Sequence, residues 1–235
     1  MSKLKSDAQD RDLKCKRAPN GAYETTRGEE WANMATHGVG LIAAMVVTVL
    51  MVGTAWREGG LRQVMTLGVF GLALIAVYGI STLYHAAKRP AWKRRLRKWD
   101  HAAIFILIAG TYTPVVLVAL GGVWGWVLLG VVWGLAAVGL TLKLVCFDRF
   151  GWTQLALTLG MGWLVVLAAP VMVPALSTEG LLWLAAGGVA YTGGVGFFLW
   201  TRLPFNHAVW HVFVMAGSAC HVVTMWCDVL GVVGS

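Results

Sequence analysis

Long apolar runs alternate with short polar breaks along most of this chain. Each run holds roughly 20 residues, the length that an α-helix needs to cross about 30 Å of hydrocarbon. Glycine pairs and proline-bearing breaks, such as Gly121-Gly122 and Arg202-Leu203-Pro204, separate the runs. The pattern therefore predicts seven membrane-spanning helices, at residues 33–55, 63–86, 101–120, 123–145, 152–174, 181–200 and 205–227.

The composition agrees with this pattern. Of the 235 residues, 58% are hydrophobic and 13% are charged, whereas a soluble domain carries about 25% charged residues. The predicted fold class is an all-α integral membrane protein. Residues 1–28 are predicted to form a flexible cytoplasmic tail and residues 29–235 a seven-helix transmembrane domain. The four cysteines have no paired spacing, so they are interpreted as small apolar residues.

The basic residues fall almost entirely on one side of the predicted topology. The tail and the break KRPAWKRRLRK hold seven Lys or Arg residues each, and in all 17 of the 19 lie on that side. Only Arg57 and Arg62 lie on the other side. This asymmetry predicts a cytoplasmic N-terminus and a C-terminus outside. The net charge of +8 is therefore a topology signal, so membrane lipids are the expected partners and nucleic acid is not.

All six histidines lie in or beside the predicted spans, and none lies in the tail. Ionisable groups inside a membrane are costly and normally face the interior of the helix bundle. His221 is ten residues into the last span, about 15 Å deeper than its start at 1.5 Å per residue. The other five are predicted at the cytoplasmic ends of their helices: His37, His85, His101, His207 and His211.

Two interpretations of the clustered histidines stay open from spacing alone. Three neutral imidazoles with a nearby carboxylate suit a zinc ion, which takes three protein ligands in catalytic sites. His207 and His211 are four residues apart, as in helical zinc sites, and His85 and Asp100 have the same predicted depth. Hydrogen bonds between helices explain such a pair equally well without a metal.

The polar residues of the first span also allow two interpretations. Glu30, Asn33 and His37 follow one another at spacings of three and four, so they share one face of the helix. Asn33 and His37 suit either a site or helix packing, and Glu30 suits a site or the membrane interface. His101 is interpreted as an interfacial histidine at the start of the third span.

Three sequence blocks carry a resemblance to a known family. They are EWANMATH at 30–37, STLYH followed by Asp100 at 81–100, and HAVWHVFVMAGSACH at 207–221. With seven spans and a cytoplasmic N-terminus, they resemble the hemolysin III proteins. These proteins form the bacterial branch of the progestin and adipoQ receptor (PAQR) family, and they are related to the adiponectin receptors and alkaline ceramidases. The resemblance implies residence in the bacterial inner membrane.

The resemblance also implies the roles of particular residues. His85, His207 and His211 would hold a zinc ion, and Asp100 would hold the water at the zinc with Ser81 beside it. The resemblance includes four further positions in a supporting shell around these residues: Asn33, His37, His221 and Glu30.

The implied activity is hydrolysis of a lipid amide or ester at the cytoplasmic leaflet, by a zinc-dependent mechanism. The alternative is a non-enzymatic membrane sensor or regulator of lipid composition or fluidity with structural zinc. A hemolysin or channel is less favoured, because a resident seven-span protein lacks the segments that a secreted pore former inserts. The substrate and the oligomeric state are left open.

Overall fold

The computed structural model describes residues 25–145 and 151–231. Residues 1–24, 146–150 and 232–235 lie outside this part, so most of the predicted tail, Cys15 and Cys146 are not described. In chain order the helices are α1 Arg27–Glu58, α2 Leu61–Ala86, α3 Pro90–Pro114, α4 Gly122–Val145, α5 Gly151–Gly162, α6 Leu164–Leu167, α7 Ala169–Met172, α8 Thr178–Leu199 and α9 Asn206–Thr224.

Short irregular turns extend three of these helices. The π-helical turn Val115–Leu120 continues α3, Met225–Val229 continues α9, and the 3₁₀ turn Val173–Ala175 follows α7. Within the described residues, six helices, α1 to α4, α8 and α9, are long and apolar enough to cross a membrane. The prediction of an all-helical membrane protein is confirmed at this level.

The predicted fifth span, residues 152–174, is not a single helix. It is divided into α5, α6, α7 and the 3₁₀ turn. Pro170, which lacks an N–H, lies at the start of α7, where it interrupts a continuous helical ladder. At the first break, the Tyr112 hydroxyl of α3 donates to the Gly162 carbonyl at 3.1 Å and accepts from the Val165 N–H at 2.9 Å. The break is therefore stabilised by a neighbouring helix in addition to its own backbone hydrogen bonds.

The two ends of the bundle are distinguished by their contacts. We call the end that holds the first turns of α1 and α9 and the last turn of α2 the histidine end. Lys98 near the start of α3 donates to the Leu144 carbonyl at 3.3 Å, which places the end of α4 there too. At the opposite, far end, Asp228 accepts from the Ser177 N–H at 2.8 Å. In chain order, the divided stretch from α5 to α7 lies between the end of α4 and the start of α8.

The third helix begins much earlier than predicted. It starts at Pro90 rather than residue 101, so most of the basic break KRPAWKRRLRK is helical. Pro90 suits the first helical position because its missing N–H needs no partner there. The prediction for His101 was wrong in one respect, since it lies inside α3 and not at the start of a helix.

The first turn of α1 is tied to the start of α9. Thr26 and Glu29 form a reciprocal capping box, and Glu29 Oε1 also accepts from the Phe205 N–H at 3.2 Å. Phe205 has a φ of 57°, in the left-handed region, which is uncommon for a bulky residue. This connection brings Glu30 and His207 to the same end of the bundle.

A hydrogen-bonded group in the middle of the bundle joins three helices. Tyr78 of α2 donates to Ser218 Oγ of α9 at 2.7 Å, and the Tyr191 hydroxyl of α8 lies 2.8 Å from the same oxygen. Close backbone approach accompanies these bonds, since a side chain at Gly217 would overlap the Tyr191 ring. Small residues allow this approach, which is typical of membrane helices.

Candidate metal centre

Three imidazoles from two helices meet at the histidine end. His85 lies in the last turn of α2, and His207 and His211 lie in the first turns of α9. One ring nitrogen of each lies within 4.8 Å of the corresponding nitrogens of the other two. His85 and His211 are buried, and His207 is partly buried. The structure thus brings together the three residues expected to hold zinc.

Hydrogen bonds fix the orientation of two of these rings. His85 Nδ1 lies 2.8 Å from Glu30 Oε2, and His211 Nδ1 lies 3.1 Å from the Asn33 carbonyl and 3.0 Å from Thr36 Oγ1. A carboxylate or carbonyl oxygen only accepts, so each Nδ1 is the donor, and in the neutral imidazole Nε2 then keeps its lone pair. Metal-ligating histidines are oriented in this way by their supporting partners.

Ring nitrogens without hydrogen-bond partners indicate whether the centre suits a metal ion. Nε2 of His85 and Nε2 of His207 are buried and have no hydrogen-bond partner among the described residues. A buried polar atom left unpaired costs about 1–3 kcal/mol. Hydrogen bonding between helices would pair these atoms, whereas a metal ion would use their lone pairs. The donor set of three imidazoles therefore fits zinc.

Asp100 and Ser81 lie beside the three imidazoles. Asp100 is within electrostatic range of His85, and its side chain adjoins that of Ser81. In the described part of the chain, the buried Ser81 hydroxyl makes no hydrogen bond of normal geometry. Asp100 is not one of the three groups whose ligand atoms converge. Its position suits a role next to the centre rather than as a fourth ligand.

Asn33 and His37 lie against His211. The His37 ring stacks on the His211 ring, with centroids 3.4 Å apart and planes at 12°. Both nitrogens of His37 and both side-chain polar atoms of Asn33 are buried, and they have no partner within residues 25–145 and 151–231. Both residues thus contact the predicted ligand His211 directly, His37 by its ring and Asn33 by its backbone carbonyl.

His221 lies apart from the three imidazoles. Its ring packs against Gly187 of α8, where a Cβ would overlap it, and 5.5 Å from the Tyr191 ring. It also bonds to the backbone of Leu184. These contacts give His221 a packing role between α8 and α9.

Lys93 is a contributor to the centre that the sequence interpretation missed. Its Nζ lies 2.9 Å from Glu30 Oε1 and 5.1 Å from the centre of the Tyr84 ring. Thr25 also donates to Glu30. Lys93 was counted only as one of the basic residues that set the topology. The contact exists because α3 extends beyond the apolar run, which a hydropathy pattern does not register.

A family model described as "Haemolysin-III related" matches residues 25–222. The chain belongs to the haemolysin III-related family. The matched range contains all three blocks that carry the resemblance, from Glu30 to His221. The family assignment therefore rests on the same region that builds the candidate centre.

Individual haemolysin III relatives support the assignment. "Hemolysin-3" of Bacillus cereus is 40% identical over 191 residues, which cover 81% of this chain and 87% of the relative. The "Hemolysin-3 homolog" of Bacillus subtilis (strain 168) is 38% identical, with 81% and 90% covered. The human "Monocyte to macrophage differentiation factor" is 30% identical over 223 residues, with 89% of each chain covered. The human protein is of the PAQR type, so the predicted PAQR relationship is confirmed.

Proposed function

We propose that this protein is a zinc-dependent hydrolase that cleaves an amide or ester bond of a lipid at the cytoplasmic leaflet. The observation that carries the proposal is the convergence of three imidazole nitrogens within 4.8 Å. Two of the rings are oriented by hydrogen bonds from Nδ1, in His85 to Glu30 and in His211 to the Asn33 backbone carbonyl. Such preorganised lone pairs are what a metal site requires.

Each nearby residue has a role in this proposal. His85, His207 and His211 hold the zinc ion. When bound, zinc acts as a Lewis acid that polarises a carbonyl group and makes water more acidic. Asp100 orients the attacking water and accepts its proton, and Ser81 lies beside Asp100.

The location of the centre supports a lipid substrate. His85 is the second-last residue of α2 and His207 the second residue of α9, so the centre lies near the helix ends. At this depth a lipid reaches the centre sideways from its own leaflet. We further propose seven crossings, with the divided stretch from α5 to α7 as the fifth. The 17-to-2 distribution of Lys and Arg then favours a cytoplasmic N-terminus in a bacterial inner membrane.

The test is turnover of a panel of lipid amides and esters by the purified protein. We expect the wild type to hydrolyse at least one member and His211→Ala to lose that activity. His221→Ala is the matched control, because it removes an imidazole from the same helix away from the centre. Equal turnover by the wild type and His211→Ala would overturn the proposal.

A membrane sensor with structural zinc is the second candidate. The ligands come from α2 and α9, so an ion at the centre would cross-link two helices that are distant in sequence. This function predicts that metal removal lowers the thermal midpoint of the protein while no lipid on the panel is cleaved. Metal-dependent turnover would exclude it as the sole role.

A further inference from the structure

The corner between α2 and α3 carries two adjoining clefts on the outside of the bundle. Their volumes are about 220 and 380 Å³, and Trp92 lines both. The larger cleft includes Leu83 and Ala86. Both lie within two residues of His85 in sequence, but they are exposed whereas His85 is buried. The clefts therefore lie on the outer side of the helical turn whose inner side carries the candidate metal centre.

The clefts combine apolar walls with a basic rim. Leu83 is 59% exposed and Trp92 is 55% exposed, and Leu96 completes the apolar side. Lys88 and Arg89 line the larger cleft, and Arg95 lines the smaller one. Between residues 59 and 99 the sequence contains no Asp or Glu, so this corner is strongly positive.

The basic rim is not occupied by internal contacts. Neighbouring Lys93 pairs with Glu30, and Lys98 bonds to the Leu144 carbonyl. For the side chains of Lys88, Arg89 and Arg95 the described part of the chain offers no hydrogen bond or ion pair. These three charges are thus available to an anion from outside the protein.

We propose that this corner is a binding site for one anionic phospholipid. Lys88, Arg89 and Arg95 take the headgroup phosphate, and one acyl chain lies along Leu83 and Leu96. Trp92 sits between them, at the level where tryptophan is enriched in membrane proteins. The apolar walls favour a lipid over free phosphate, and the rim favours a net negative headgroup over a zwitterionic one. The site lies outside the metal centre and does not depend on the proposed hydrolysis.

A substitution at Arg94 distinguishes a specific lipid site in the clefts from general electrostatic attraction to the membrane surface. It lies on the same helix among the same basic residues and is exposed, but it lines neither cleft. Diffuse attraction to the membrane surface predicts that Arg89→Gln, Arg95→Gln and Arg94→Gln weaken lipid binding equally. A site in the clefts predicts a loss for the first two variants only.

The experiment is native mass spectrometry of the full chain in detergent, titrated with dioleoylphosphatidylglycerol or dioleoylphosphatidylcholine. We expect one phosphatidylglycerol to bind more tightly than phosphatidylcholine. We also expect a loss of about five-fold in affinity for each of Arg89→Gln and Arg95→Gln, the effect of about 1 kcal/mol per basic residue near a membrane surface. The Arg94→Gln variant should bind as the wild type does, and inorganic phosphate at equal concentration should not displace the lipid.

Three results would overturn the proposal. They are equal binding of the two lipids, an equal loss in Arg94→Gln, and displacement by inorganic phosphate, which would show a site for a free anion. Unchanged thermal midpoints of the variants ensure that a loss of binding is not a loss of folding. Because these positions lie outside the metal centre, metal content should stay at the wild-type level throughout.

Discussion

The two ends of the bundle use buried polar groups differently. At the far end, polar side chains mostly complete the backbone. Asp228 accepts from the Ser177 N–H at 2.8 Å, and Gln63 donates to the Val229 carbonyl at 3.1 Å. At the histidine end, Asn33, His37, Ser81 and two of the three clustered histidines keep buried atoms without partners among the described residues.

This difference indicates that the polar groups of the far end stabilise the fold, whereas those of the histidine end suit metal binding. Unpaired buried atoms are costly, so natural proteins keep few of them unless a ligand, water or ion uses them. At the far end Asp228 Oδ2 is the corresponding atom, and it packs against Gly180. The histidine end has several such atoms around lone pairs that converge. We therefore expect substitutions at the histidine end to change metal binding, and those at the far end to change stability.

The largest expected effect separates two histidines of the same helix. His207→Ala removes a proposed ligand and should lower zinc affinity by more than the 10- to 100-fold that loss of a supporting partner costs. His221→Ala should keep the metal, because His221 packs against α8 away from the centre. Zinc content after purification and a chelator titration measure both variants. Similar zinc loss in the two would contradict the assignment.

A smaller effect is expected from the partner of His85. Glu30→Gln weakens the acceptor that holds Nδ1 protonated, so zinc affinity should fall by about 10- to 100-fold. Glu29→Gln is the matched control on the same turn, since Glu29 bonds to Thr26 and Phe205 and contacts none of the three ligands. It should lower stability by about 1 kcal/mol, as loss of a helix cap does. If chelator competition gave equal zinc affinities for Glu30→Gln and the wild type, Glu30 would have no positioning role.

At the far end we expect a purely structural result. Asp228→Ala leaves the Ser177 N–H at the start of α8 without its side-chain acceptor and should cost about 1 kcal/mol of stability. Thermal unfolding in detergent measures this cost, and zinc content should stay at the wild-type level. A loss of zinc in this variant would break the contrast between the two ends.

The smallest effect is expected in the middle of the bundle. Tyr191→Phe removes one hydrogen bond to Ser218 and leaves the bond from Tyr78 in place. Hydrogen bonds between membrane helices average about 0.6 kcal/mol, so the thermal midpoint should fall slightly. Neither zinc content nor turnover should change, and a change in either would extend the functional region into the middle of the bundle.

The sequence was sufficient for the features that depend on apolar length and local spacing. Six spans and the pair His207 and His211 follow from periodicity within one helix. The division of the fifth span was not predicted, although Pro170 stands in it. The first break, at Gly162, is stabilised by Tyr112, which lies 50 residues away in the chain. A local sequence pattern does not contain that contact.

The contacts that support the candidate centre could also not be predicted from hydropathy and local spacing. The sequence alone allows Glu30 either a site or the membrane interface, because its partner His85 is 55 residues away. Lys93 reaches Glu30 only because α3 begins at Pro90, outside the apolar run. Asp228 resembles a solvated residue at a helix end in the sequence, yet it bonds to the backbone at the start of α8.

Metal analysis tests most directly whether the three imidazoles hold a metal ion. Elemental analysis of the purified wild type should give about one zinc per chain, and His85→Ala should give none above background. A wild type without stoichiometric metal, after purification without chelators and with zinc supplied, would contradict the account. So would a His85→Ala variant that retains the full amount.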